Sequence, residues 1–325
     1  MPFVKTFLTI GLLFSSLLNC QEVQPIEIPL TGEASSQDLE MSSLAWYGDK
    51  LILMPQYVHR DAPAFFYLTK DQLSDWVAGT RRDSLKPQRI NLISPDLESQ
   101  INGYQGFEAI CFEADTAFLL VESNYQDVMT GYLFRGEVNP DSNYLKILSE
   151  RTILKPPVNI KNIAYETLIK MGDQLIAIYE VNGANVNPVR RAKIFNTLLT
   201  PVAEWPFPVV EYRITDATAL DSDNRFWAIN FFWPGERERL NPAPDQLLAT
   251  FPQGTTHGQF QQVERLIEFQ IESGRIVMTR KPPLQLRLEK SSRNWEGIVR
   301  LGQHGFLLIT DEYPRTILAF VPYDH

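Results

Sequence analysis

Four acidic side chains recur at one point of a repeated pattern in this chain. They are Glu108, Glu166, Asp216 and Glu296, each near the start of an apolar segment, and Ser43 falls at about that point in a fifth copy. Carboxylates brought face to face repel and lose hydration, so they stay ionised only beside a compensating cation. An oxygen-only donor set suits Ca²⁺ or Mg²⁺ rather than zinc. Ca²⁺ is therefore the expected cofactor, with those four acids as ligands. The same residues have a structural use, hydrogen-bonding neighbouring strand ends to hold the repeats in register. Both readings stay open on the residues alone.

A second polar set lies one strand later: Gln56, Glu122, Glu180, Asn230, Asp311 and Glu312. Glu122, Glu180, Asp311 and Glu312 are the candidate bases for a water made acidic by a bound metal. The loops that follow add Arg60, Arg190, Arg191, Arg237, Arg239 and Arg315, with Tyr57, Tyr125, Trp233 and Tyr313. Arg presents a planar fork that fits phosphate or carboxylate. Arg60, Arg191, Arg239 and Arg315 are the candidate holders of an anionic small molecule. The four His show no ligand spacing, and His59 alone lies in a loop of the candidate face. No Gly-x-Ser-x-Gly elbow, Gly-rich phosphate loop followed by Lys, or His-Glu-x-x-His motif is present.

The elements that must position these residues are β-hairpins. The five copies are Ser43–Met54, Phe107–Glu122, Tyr165–Glu180, Thr215–Asn230 and Trp295–Thr310, each two apolar runs around a Gly, Asp or Asn turn. The runs are nearly continuous in apolar residues, as expected of strands buried on both faces. A third strand follows each hairpin: Ala64–Leu68, Gly131–Arg135, Arg191–Phe195, Arg265–Ile271 and Thr316–Val321. Pro-flanked fourth strands fit Gln88–Ile93, Arg151–Leu154, Val202–Trp205 and Leu284–Leu288, since an outermost strand needs fewer ladder donors. The last unit lacks a fourth strand, and Pro25–Leu30 has the right character to supply it and close a ring. The fold class is thus all-β, a β-propeller of four-stranded blades. Five blades fit the hairpin count; a sixth needs one more hairpin. Residues 234–262, rich in Pro, Gly and Gln, read as a long surface loop inserted in the fourth unit, and Lys70–Ala78 is the one helical stretch.

The chain has 325 residues with 30 Lys and Arg against 39 Asp and Glu, a net charge of −9. That balance excludes general nucleic-acid binding, which needs clustered basic residues. Met1–Lys5 is a basic start and Thr6–Leu18 an apolar run, shorter than the roughly 18 residues a membrane span needs. The segment ends on Leu17-Leu18-Asn19-Cys20, which resembles a bacterial lipoprotein signal in which Cys20 receives lipid; an ordinary cleaved signal is the alternative. Residues 1–20 are then an address and 21–325 a single domain. The expected setting is the cell envelope, lipid-anchored and facing the periplasm or exterior. The expected partners are the membrane through that lipid and an anionic substrate, with the domain monomeric. Two Cys make no disulfide framework, and Cys111, in an apolar run, reads as a core residue.

Gly106-Phe-Glu-Ala-Ile110, Ile214-Thr-Asp-Ala-Thr-Ala-Leu220 and Asn294-Trp-Glu-Gly-Ile298, followed by Thr310-Asp-Glu312, resemble in order the phytase-like β-propeller family, also described as having esterase-like activity of phytase. The likeness runs from about Ser42 to Val321. It implies a secreted or periplasmic propeller hydrolysing phosphoesters or esters with a divalent metal, and it implies Glu108, Glu166, Asp216 and Glu296 as channel acids. The chain departs from the family pattern at Ala109, where Gly is usual, and at Tyr165-Glu166. The acid-bearing hairpins are also similar to those of five-bladed calcium-activated nucleotidases. A different class stays open, in which the ring is a non-catalytic lipoprotein presenting a face, or the 234–262 insert, to a ligand or protein.

Overall fold

The computed structural model describes residues 22–323; the expected signal segment and Cys20 lie outside them. The first strand, β1 (Ile26–Ile28), precedes a four-stranded antiparallel unit of β2 (Met41–Tyr47), β3 (Lys50–Pro55), β4 (Ala64–Thr69) and β5 (Gln88–Ile93). The second unit is β6 (Tyr104–Glu113), β7 (Thr116–Tyr125), β8 (Val128–Asn139) and β9 (Tyr144–Leu154). Parallel pairing of β5 with β9 joins the outer edges of these two units into one eight-stranded sheet. The third unit is β10 (Tyr165–Met171), β11 (Gln174–Tyr179), β13 (Arg191–Asn196) and β14 (Pro201–Pro206). Between them β12 (Val181–Asn182) crosses to the fourth unit of β15 (Val210–Ala217), β16 (Arg225–Phe232), β17 (Val263–Glu272) and β18 (Arg275–Met278).

The expected outer strand at Leu284–Leu288 is different in the structure. β18 and β19 (Leu284–Gln285) pair with opposite ends of β17, because Pro282 and Pro283 interrupt the edge between them. The last unit is β20 (Trp295–Arg300), β21 (Gly305–Thr310) and β22 (Leu318–Pro322). Its fourth strand is β1, antiparallel to β22 with Ile28 opposite Leu318. The N-terminal strand therefore completes the C-terminal sheet, as expected from the unmatched edge.

The first strands form a closed cycle: β2 lies against β6 and β20, β6 against β10, β10 against β15, and β15 against β20. The fold is all-β and propeller-like, with these strands around the axis. Apolar clusters fill the spaces between successive units. Leu51, Phe66, Leu307 and Leu318 pack between the first and last, Phe107, Phe134 and Ile52 between the first and second, and Phe118, Tyr165 and Leu175 between the second and third. Further clusters occupy the remaining two spaces. Each sheet is sandwiched on both faces, which accounts for the continuous apolar runs. Cys111 packs against the cluster between the second and third units, and burial pushes its thiol pKa up.

Local chemistry fixes the hairpins. In the β15–β16 turn, Asp221 Oδ1 accepts the Asp223 and Arg225 N–H groups and lets Asn224 take a φ of 57°. The helix α1 (Lys70–Ala78) begins with a capping box in which Thr69 and Gln72 satisfy each other's backbone N–H. The 234–262 insert is more ordered than a surface loop. It carries short helices at Arg237–Leu240 and Gln246–Thr250, whose Leu240 and Leu247 enter the core, because their apolar faces find the neighbouring clusters. Its Thr256 and His257 N–H groups are accepted by the Glu22 carboxylate.

Close approach at the axis needs Gly297. A Cβ there would lie 2.8 Å from Leu44 N, 2.9 Å from Ser43 C and 2.7 Å from Ile309 Cγ2. Two of these atoms are backbone of β2, so no side-chain rotation relieves the clash. Gly297→Ala is expected to force β20 away from β2 and cost about 1–3 kcal/mol, read as a lowered urea midpoint at unchanged m-value; an unaltered midpoint would show that the strands have slack.

Candidate functional site

A β-bulge recurs near the start of every first strand. Pairing registers skip a residue between Met41 and Ser43, Phe107 and Ala109, Tyr165 and Thr167, and Trp295 and Gly297. The extra residues are therefore Ser42, Glu108, Glu166 and Glu296. In β15 the irregularity spans Ile214 to Ala217 and includes Asp216. A bulge re-aims a side chain that strict alternation would send elsewhere. The first-unit equivalent is thus Ser42, one residue before Ser43, because the bulge shifts the register by one.

A cavity of about 1080 Å³ opens at this end of the ring. Eight carboxylates line it, those of Glu40, Glu108, Glu122, Glu166, Glu236, Glu296, Asp311 and Glu312, with only Arg213 and Lys290 as cations. Of the sequence-predicted acids, Glu108, Glu166, Glu296, Glu122, Asp311 and Glu312 are brought together here. Asp216 and Glu180 are buried but line no part of the cavity.

Asp216 is a latch. Its carboxylate accepts the Ile298 N–H at 3.0 Å, the Ala217 N–H at 2.8 Å and the Ser43 hydroxyl at 3.5 Å, tying β15 to β20 and β2. Glu180 serves Arg213, accepting its Nε. The four candidate anion-holding arginines are not among the cavity-lining residues. Arg60 is paired with Glu98 at the surface, Arg191 is exposed on β13, Arg239 is held by Glu236 and the Lys161 carbonyl, and Arg315 by Glu27. Acids off the cavity take up Arg60 and Arg315, whereas the partner of Arg239 is itself the cavity-lining Glu236. His59 is exposed and also lies off the cavity.

The axial cation is Arg213, which the spacing analysis did not single out. Its Nη2 lies 3.3 Å from Glu166 Oε1 and 3.2 Å from Glu296 Oε1, and its Nη1 3.4 Å from Asn294 Oδ1 and 3.8 Å from Glu236 Oε1. Burial opposes its charge, but Glu166, Glu296, Glu236 and Asp311 outweigh that and raise its pKa. Two devices aim it. Tyr212 adopts a φ of 73°, an uncommon conformation for an aromatic residue, costing of order 1–3 kcal/mol. Buried Asn230 donates to the Glu211 and Arg213 carbonyls and fixes that backbone. Arg213 lies on the first strand itself, three residues before Asp216, and not in a loop.

The protonation states are uneven around this cation. Burial pushes Glu122 up to about 8, with Glu166 adding to the rise and Arg213 opposing it. Burial also lifts Glu166, to about 7 against the pull of Arg213, and Glu40, to about 7 with help from Glu312 and Asp311. Glu108 and Glu296 rise well above the carboxylate range, burial leading in both. Asp311 rises only to about 6, because the Tyr313 N–H and the Asn294 amide stabilise its charge against burial. Glu122 is 5% exposed, and no described group hydrogen-bonds its carboxylate. Glu108 accepts one bond, from Gln56 Nε2 at 2.9 Å.

The donor set does not fit a divalent ion in this arrangement. Among the described residues no group of three or more His, Cys, Asp or Glu side chains is placed to hold one. Glu166 and Glu296, two of the expected ligands, are engaged by a guanidinium.

No protein-family model matches the chain. No curated protein matches it. Solved structures do resemble it. A hypothetical protein from Leishmania major aligns over 94% of this chain and 91% of its own, with TM-score 0.44 and 11% identity. A GH43 protein from Bacillus licheniformis aligns over 85% of this chain and 50% of its own, with TM-score 0.45 and 9% identity. The sucrose-6-phosphate hydrolase of Lactobacillus gasseri aligns over 93% and 61%, with TM-score 0.47 and 10% identity. This chain thus spans about half to three-fifths of the latter two. Similarity at these scores carries no inference about activity.

Glu40, Glu122 and Glu166 hold their protons to higher pH in the folded chain than in the unfolded one. Between about pH 5 and 8 the folded state therefore binds more protons, and stability falls as pH rises through that window. The melting temperature is expected to drop between pH 6 and 8.5. Glu122→Gln, which removes one of these groups, should blunt the drop; a wild-type profile flat over that range would refute the buried, uncompensated state of these acids.

Proposed function

We propose that the protein is a five-bladed, phytase-like propeller, lipid-anchored at Cys20 in the cell envelope, whose cavity carboxylates hydrolyse a glycosidic bond without a metal. One observation carries the reaction: Glu122, raised to about 8, and Asp311, at about 6, line the same cavity. Near neutral pH the first carries a proton and the second is ionised. Two carboxyl groups whose surroundings separate their protonation in this way supply a general acid and a general base. In a glycoside hydrolysis the protonated carboxyl gives its proton to the leaving oxygen. The ionised one takes a proton from the water whose oxygen bonds to the anomeric carbon.

The rest of the cavity supports this assignment. Glu180, Glu166 and Glu296 hold Arg213, which in turn lowers the pKa of Asp311 and favours its ionised form. Glu180 and Asn294 are positioning residues in this scheme. The volume suits a small-molecule substrate. A phosphoester is disfavoured, because Arg213, the buried cation that could receive a phosphate, is already engaged by Glu166, Glu180 and Glu296, and the acids that are ionised would repel the anion. For Ca²⁺ to bridge a phosphate here, Arg213 would first have to leave Glu166 and Glu296.

The mature chain should be assayed against p-nitrophenyl glycosides, acetate and phosphate, with EDTA or with Ca²⁺. Glycoside turnover is expected in EDTA, with a bell-shaped rate profile whose limbs fall near pH 6 and 8. Glu122→Gln should lose the alkaline limb and about 10²–10⁴ of kcat. Phosphate release only with Ca²⁺ would reinstate a metal-dependent phosphoesterase. Turnover of none of the three would leave the binding lipoprotein.

A further inference from the structure

The mouth of the cavity differs in chemistry from its floor. Trp233, Tyr57 and Tyr313 line it, and they are 54%, 39% and 59% exposed, so aromatic surface stays open to a ligand. Trp233 is nevertheless held in place. Its indole crosses the following loop so closely that a Cβ on Gly235 would lie 2.3 Å from Cη2. Tyr57 lines the cavity with these acids; burial, with the Glu40, Glu108, Glu122 and Glu312 charges adding to it, pushes its phenol up to about 12.

At the floor, Glu122 is more than nine-tenths buried, lines the cavity and has no hydrogen-bond partner among the described residues. A buried carboxylate without a partner is costly, and water or a ligand in the cavity is what remains to satisfy it. Rings above and carboxylates below form an arrangement complementary to a cation carried on an apolar frame: the quadrupole of each ring and the charge of each acid attract the same positive group.

We infer that the cavity binds a ligand bearing a primary ammonium group, seated against Glu122 and Glu108 beneath the Trp233, Tyr57 and Tyr313 rings. The inference rests on the cavity of the hydrolase reading and adds a class of ligand that competes with hydrolysis, because an ammonium that draws the Glu122 proton off removes the general acid. An amino sugar and a polyamine share this chemistry. The groups facing Glu122 are Glu108, Glu166, Tyr57, Tyr179 and Arg213. All except Arg213 become anionic or stay neutral, so an arriving ammonium draws protons off the acids. Binding should therefore release protons, and for an amine that stays charged throughout, such as the primary amines of spermidine, it should strengthen from pH 6.5 to 8.5.

Calorimetry on the full mature chain in two buffers of different ionisation enthalpy tests this. The probes are the glucosamine disaccharide, its N-acetylated counterpart and spermidine. The free amine should bind at least about tenfold more tightly than the acetylated sugar, since that gap corresponds to 1.4 kcal/mol of charge recognition. It should also release protons at pH 6.5, where the sugar's own amine is mostly charged. Spermidine binding as tightly as the disaccharide would assign the preference to a polyamine, and weaker binding to an amino sugar. Glu122→Gln should erase the preference and most of the proton release. Trp233→Ala, at an exposed position, should weaken both sugars and narrow the gap between them, because the ring contributes both stacking and cation–π attraction. Equal affinity for the paired sugars would overturn the inference, as would a preference that survives in folded Glu122→Gln. Ammonium preference without turnover of any glycoside would sink the hydrolase reading and leave this one; turnover of neutral glycosides with no preference would do the reverse.

Discussion

The site depends on one interaction, the guanidinium of Arg213 inside a ring of carboxylates. Bulges on the first strands send Glu108, Glu166 and Glu296 toward the axis, where hydration is lost and mutual repulsion is strong. Without a cation, each would have to be neutral. Arg213 allows part of the set to ionise, and its position decides which part. Glu166 and Glu296 lie within 3.3 Å of it, and Asp311 feels its charge through the network around Asn294. Glu122 makes no ion pair with it and keeps its proton to higher pH. The cation lies off centre, and the acids it leaves behind differ: Asp311 rises only to about 6, whereas Glu122 reaches about 8.

That asymmetry costs stability. A buried ion cluster seldom repays its desolvation, whereas breaking it strands an unpaired charge. Tyr212 adds an unfavourable backbone conformation to the cost. The apolar packing between units has to carry both. The sandwiching of each sheet between two clusters, with the N-terminal strand completing the last sheet, is what provides it. The cavity end of the ring is thus held by the apolar packing between the units. Asp216, bonded to backbone N–H groups of its own and a neighbouring unit, sits at the junction.

Much of the architecture was legible because hairpins repeat the same physics. Apolar runs, Gly/Asp/Asn turns and the unmatched final edge pointed to radial four-stranded units and to closure by the N-terminal strand. The acids were legible from their equivalent positions in those runs, and Tyr57, Trp233 and Tyr313 from their places in the following loops. The off-by-one placement of Ser43 for Ser42 reflects a bulge, which adds a residue without altering composition. Arg213 was not legible by spacing. Arg293 stands three residues before Glu296, just as Arg213 stands three before Asp216, yet it is bound to Glu264 on β17. Which of two such arginines reaches the axis depends on the positive φ at Tyr212 and on Asn230. The loop arginines failed as site residues for a related reason. A charge in a loop goes to its nearest counter-ion: Glu98 and Glu27 hold Arg60 and Arg315, and Arg239 meets the cavity only through Glu236, which also faces Arg213.

The fourth unit explains how the balance is struck within a repeating fold. Its bulge acid is an Asp, one methylene shorter than the Glu of its neighbours, and it is taken up by backbone N–H groups instead of reaching the cavity. The same strand delivers the cation three residues earlier. One unit thus withdraws a negative charge from the ring and adds a positive one, a swing of two charges relative to its equivalents. If all units had kept the common pattern, the axis would gather only anions, and a metal ion would be the remaining way to neutralise them. With Arg213 in place the compensating charge is covalent, permanent and directional. It leaves the Glu122 side of the cavity uncompensated, and that is the side from which an incoming positive group would gain most.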